Sequence, residues 1–208
     1  MAILELDQGI KTVGVGATNV RGRADRMGAL VTTPGGADLQ EMVSQGIVMT
    51  ASNTVAGTTP GTVLGTTMPI TLWNPPSSGK NLVILHVSVG YVSGTLGAGN
   101  YVFAWNAQAT TPSGTELTPV NNLLGYPRGV GRAFTGANAT GSTPAIVRPS
   151  FSFGPFLATS VSLPSESLDY VNGGIIVTQG SLLAFGAIAT AGTSPLAIHC
   201  IKYAEVPA

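Results

Sequence analysis

The stretch Lys80-Asn-Leu-Val-Ile-Leu-His-Val-Ser-Val-Gly-Tyr-Val-Ser93 decides the fold class. Its apolar residues recur every second position, the period of a strand, in which alternate side chains point to opposite faces. Val83, Leu85, Val87, Val89 and Tyr91 then share one wholly apolar face, predicted to line a core. Leu82, Ile84, His86 and Ser88 share the other, which is mixed.

The same text continues on both sides of this strand. Short runs rich in Val, Ile, Leu, Thr and aromatics occupy residues 47–55, 62–73, 101–109, 145–148, 150–158, 175–178, 182–190 and 196–206. Turn residues punctuate them: Asn74-Pro-Pro-Ser-Ser-Gly79, residues 94–99, Gly180-Ser181 and Ala191-Gly192-Thr193. Many short strands joined by such clusters read as an all-β sandwich or barrel. Pro69 cannot donate to a ladder, so it predicts an edge strand or a bulge. Residues 110–144, rich in Thr, Pro, Gly and Asn, read as a long loop that is functional or folded on a neighbour. No fixed repeat argues for a propeller or β-helix. A jelly-roll-like β-sandwich of about eight strands is the most economical architecture.

The character of the chain changes near residue 46. Residues 1–45 carry Lys11, Arg21, Arg23, Asp25, Arg26, Asp38 and Glu41, and glycines interrupt any sustained period. They read as an extended N-terminal arm, and residues 46–208 as the sandwich domain. The one helical signal is Asp38-Leu-Gln-Glu41, a cap and capping partner ahead of Met42 and Val43. One or two turns are expected before Gly46 ends them.

Only 9 % of the 208 residues are charged and the formal net charge is zero, against about 25 % charged in an ordinary domain. Disorder does not fit, because 44 % of residues are hydrophobic and disordered chains are poor in apolar residues. A charge-poor surface predicts coverage by sister copies or a larger assembly, since charge is what normally keeps monomers apart. The single cysteine, Cys200, excludes an intrachain disulfide and reads as a buried, inert thiol. The N-terminus lacks the pattern of a signal peptide. No apolar run approaches 18 residues, so no membrane helix is expected.

Motifs for chemistry fail on inspection. Two histidines and one cysteine show no metal-ligand spacing, so no metal and no other cofactor is expected. His86 and His199 lie inside strands and read as core or interface residues. No G-x-S-x-G elbow is present. A glycosidase needs two flanking carboxylates. Glu166 and Asp169 read instead as turn residues of a loop. Trp73, Trp105 and Tyr101 suit a sugar platform, but aromatics in strands usually belong to a core. Pro76-Ser-Ser-Gly-Lys-Asn81 fails the phosphate-loop pattern at positions 74 and 81. Gly129-Val-Gly131 fails as a dinucleotide fingerprint at Phe134. Arg21-Gly-Arg-Ala-Asp-Arg26 is too narrow for a nucleic-acid surface. Arginine forks bind carboxylates in defined geometry, so Arg21, Arg23, Arg26, Met27 and Leu30 are predicted to form a protein-docking interface.

The succession Arg26-Met-Gly-Ala-Leu-Val-Thr-Thr33, Gly46-Ile-Val-Met-Thr-Ala-Ser52, Trp73-Asn-Pro-Pro-Ser-Ser-Gly-Lys-Asn-Leu-Val-Ile-Leu85 and Glu205-Val-Pro-Ala208 resembles tailed-bacteriophage virion proteins. Its size and pattern are similar to jelly-roll capsid cement or decoration proteins. That resemblance implies a non-enzymatic virion protein on the capsid exterior, made in the bacterial host cytoplasm. Its implied partners are the major capsid protein and itself, as a homodimer or homotrimer, without nucleic acid or membrane. Two other readings compete: a tail or head-fibre protein binding host glycans, and a polysaccharide hydrolase or esterase.

Overall fold

The computed structural model describes residues 39–154 and 166–208. Residues 42–208 form one compact unit. A short helix, α1 (Gln40–Ser44), ends where Gly46 adopts φ +70° and donates its N–H to the Val43 carbonyl. That left-handed residue is the usual glycine stop, and it stands where the sequence predicts it.

Twelve antiparallel strands follow among the described residues. They are β1 (Val48–Ser52), β2 (Met68–Asn74), β3 (Lys80–Ser93), β4 (Gly99–Ala107), β5 (Thr115–Leu117) and β6 (Val120–Asn121). The rest are β7 (Arg132–Gly136), β8 (Ala145–Phe153), β9 (Glu166–Tyr170), β10 (Ile176–Val177), β11 (Ser181–Ala189) and β12 (Leu196–Pro207). The pairing is nested: β1 with β12, β2 with β11, β3 with β9, and β4 with β8. Two sheets result, with orders β9-β3-β12-β1 and β2-β11-β4-β8 at their centres. A long hairpin rolled up in this way is a jelly roll. The four shorter strands enlarge it. β6 lies beside β1 and β10 beside β3, while β7 and then β5 extend the second sheet beyond β2.

The inner faces of both sheets make the core. Ile70, Leu72, Phe103 and Phe185 from one sheet, and Ile84, Val87, Ile201 and Tyr203 from the other, are fully buried. Each such side chain contributes about 1.5–3 kcal/mol by leaving water. A second apolar cluster lies on the outer face of the β2-β11-β4 sheet, where Met68, Trp73, Phe134, Leu182 and Ala184 are covered by Leu64 and Ala139. The covering loops bond to each other, Thr140 donating to the carbonyls of Thr66 and Gly65.

Several expectations need correction. β3 does not keep one core face along its length. His86 pairs with Lys202 but Ile84 pairs with Tyr203, so Leu85 is an inserted residue. Leu82 and Ile84 face the core before that bulge, and Val87 and Val89 after it. One inserted residue reverses a period of two. The Leu85 carbonyl accepts from both Val171 and Asn172 at 2.9 Å, which uses the kink.

Pro69 lies in an interior strand, not at an edge, and the bulge reading holds. Pro69 and Ile70 together oppose Thr135, whose hydroxyl donates to the Pro69 carbonyl at 2.7 Å. Residues 145–153 form one strand through Pro149, which is tolerated because β8 is the sheet edge and is bulged there. Residues 110–144 are not a loop folded on a neighbour: β5, β6 and β7 arise within them and extend both sheets of this domain. Glu166 and Asp169 are not in a loop either, because β9 spans them. Cys200 is half-buried, not buried, in register with Ser88 and Ser52.

Candidate functional site

The buried polar groups come first, since they are where acid–base chemistry would have to start. His199 on β12 is wholly buried, and it sits between the sheets. Its Nε2 meets the Tyr101 hydroxyl from β4 at 3.2 Å, and its Nδ1 meets the Asn53 amide nitrogen at 3.0 Å. Asn53 also accepts from the His199 backbone N–H at 3.0 Å and donates to Thr58 and Ala197. With Asn53 donating to Nδ1, the network assigns the imidazole proton to Nε2. Burial holds the imidazole down to a pKa of about 3, opposed weakly by the Ala197 carbonyl. Burial likewise pushes the Tyr101 hydroxyl far above its ordinary range. The ring is thus a neutral cross-link between two sheets, with no carboxylate among its hydrogen-bond partners.

The described carboxylates of the sandwich are each committed to a structural contact. Glu205, near the end of β12, is buried and accepts the backbone N–H groups of Val130 and Gly131 at 3.0 and 2.8 Å. A Cβ on Gly129 would sit 2.1 Å from this carboxylate, so glycine is required for the close approach. Burial, aided by the Glu205 charge, raises the Tyr203 hydroxyl well above its usual range. Asp169 on β9 takes Arg148 of β8 at 3.0 and 3.2 Å and the Ser150 hydroxyl at 2.6 Å. The Arg148 guanidinium also lies 4.7 Å from the Phe103 ring centroid. This cluster fastens the β8 edge of one sheet to the β9 edge of the other. Glu116 on β5 is held by a two-pronged Arg132 contact of 2.8 and 2.6 Å, which lowers its pKa through hydrogen bonding. Arg132 in turn stacks over Trp73 and Phe134. Arg128 approaches Glu116 only to 4.0 Å.

What the domain presents outward is apolar. Leu124 is 81 % exposed and Tyr126 60 %, on the segment between β6 and β7, with Val120 and Val130 beside them in sequence. This segment is tied down at many points. Asn121 donates to the carbonyls of Gly46 and Pro127 and accepts from the Leu123 N–H. Asn122 donates its N–H to Val48 and accepts the Thr50 hydroxyl. Gly125, at φ +89°, makes the turn, and Glu205 holds the return. Ile146 and Val147 on the β8 edge, and Tyr170 and Leu168 on β9, are also exposed.

Of the aromatics that suit a sugar platform, Trp73 and Tyr101 are buried and only Trp105 is substantially exposed, at 46 %. His86 lies beside Tyr170, ring centroids 5.9 Å apart. Arg21, Arg23, Arg26, Met27 and Leu30 lie outside the described residues. The 120–130 segment escaped the sequence reading, although the apolar pairs around Gly125 and Pro127 were a visible signal. No group of three or more His, Cys, Asp or Glu suited to a metal occurs among the described residues. No described helix is long and apolar enough to cross a membrane. No known protein family, curated protein or solved structure matches the chain.

Proposed function

We propose that this chain is a structural protein of a bacteriophage virion, a cement or decoration protein that binds the outside of the major capsid lattice and bridges capsomers. The carrying observation is a closed jelly roll whose described carboxylates all serve internal contacts while large apolar side chains remain outside. Such a surface favours association through area. Each Å² of apolar surface removed from water is worth roughly 25 cal/mol, and repeated attachment on a lattice raises the effective concentration. The sequence resemblance adds the phage context, and the 9 % charged fraction adds the expectation of coverage. Copy number in purified particles tests the reading. Gel densitometry should give hundreds of copies per particle, retained in about 1 M salt because apolar contacts are not screened. A few copies per particle, or loss in salt, would sink the proposal.

One observation favours the second reading, a tail or head-fibre protein that binds host glycans. The Trp105 ring is half exposed while Arg148, Asp169 and Ser150 cluster on the adjoining strands. A glycan-array signal lost in Trp105→Ala would replace the cement reading with this one.

A further inference from the structure

We infer that residues 120–130 form the surface through which this chain associates with a second copy of itself. The inference rests on the oligomeric part of the reading above and names the surface responsible. Three observations carry it.

The first is exposure: Leu124 and Tyr126, two large apolar side chains, face solvent with Val120 and Val130 close in sequence. The second is preorganisation. A loop with no partner does not need its backbone held by Asn121, Asn122 and a buried Glu205 carboxylate, with Gly129 and Gly131 kept bare for close approach. Holding a segment in its bound shape removes the ordering cost that otherwise weakens association. The third is charge. The one charged side chain in the segment is Arg128, and the adjoining β5 offers Glu116, only 4.0 Å away. Cation and anion thus lie side by side on one surface. A two-fold axis there sets Arg128 of each copy against Glu116 of the other, so the surface is complementary to itself. The zero net charge of the chain adds no long-range repulsion between copies.

Sedimentation velocity on the full chain tests this, with the double variant Leu124→Asp/Tyr126→Asp. The wild type should sediment as an oligomer at tens of µM. The double variant should be monomeric, its self-association weakened about 100-fold or more, the loss typical of truncated anchor residues at an interface. Both positions are exposed, and an unchanged thermal transition will show that the fold is intact. Ile146→Asp, exposed on the β8 edge, should associate like the wild type. A monomeric wild type, or an oligomeric double variant, overturns the inference. Particle co-sedimentation separates this from the function. If a monomeric wild type still decorates particles, or an oligomeric double variant fails to, the self-association surface is wrong and the decoration reading stands.

Discussion

Acid should loosen this fold through one residue, His199. In the folded chain burial keeps the imidazole neutral, with a pKa of about 3, whereas its ordinary value is 6.5. The unfolded chain therefore binds a proton that the folded chain refuses between those values, and stability falls as pH drops through that window. Each pH unit below 6.5 costs about 1.4 kcal/mol. At pH 5.0, above most of the carboxylate range, His199 should remove about 2 kcal/mol relative to pH 7.5. For a domain of this size that corresponds to a fall in Tm of roughly 4–8 °C. The only titratable side chain bonded to the imidazole is Tyr101, itself neutral throughout. Urea unfolding of tag-free protein at pH 7.5, 6.0 and 5.0 measures the effect. His199→Gln should be less stable at pH 7.5 but should lose most of the pH dependence, while His86→Gln should keep it. Equal wild-type stability at pH 7.5 and 5.0 would refute the reasoning. So would an NMR titration placing the folded His199 near 6.5.

Two further substitutions probe the supports of the fold. Glu205→Ala removes the acceptor for two backbone N–H groups and should cost about 3 kcal/mol, with faster amide exchange at Val130 and Gly131; Gly129→Ala should loosen the same return by displacing the carboxylate. Gly186→Ala on β11 would place a Cβ 2.7–2.8 Å from Met68 and Pro69, so chemical denaturation should show a loss of about 1–3 kcal/mol from overpacking.

The fold was legible because its long strands are written in an unambiguous period. Residues 80–93 and 196–206 alternate over enough positions that no helix accommodates them, and both emerge nearly as read. The short strands β5, β6 and β7 were illegible because two to five residues amid Gly and Pro hold no period; neighbouring strands recruit them. β9 was read as a loop for a related reason. Ser165-Glu-Ser-Leu-Asp-Tyr170 looks polar, yet Asp169 is stabilised in its strand by Arg148, which lies 21 residues away in sequence.

The exposed apolar segment follows the same division. Val120, Leu124, Tyr126 and Val130 are printed in the sequence, but an apolar residue between turns reads equally well as core. What turns them outward is Glu205, some 75 positions later, which captures Val130 and Gly131 after the chain has rolled up.

The sequence by itself therefore determined the class: period-two runs, abundant turn residues and scarce charge admit an antiparallel sandwich and little else. The tertiary structure alone decided which face of β3 turns inward at Leu85, how Pro69 is admitted to an interior strand, and which apolar residues remain outside. Alternation is local and survives in any register. A bulge, a nested pairing or a buried carboxylate contact joins residues far apart in the chain, and its energy exists only once they meet.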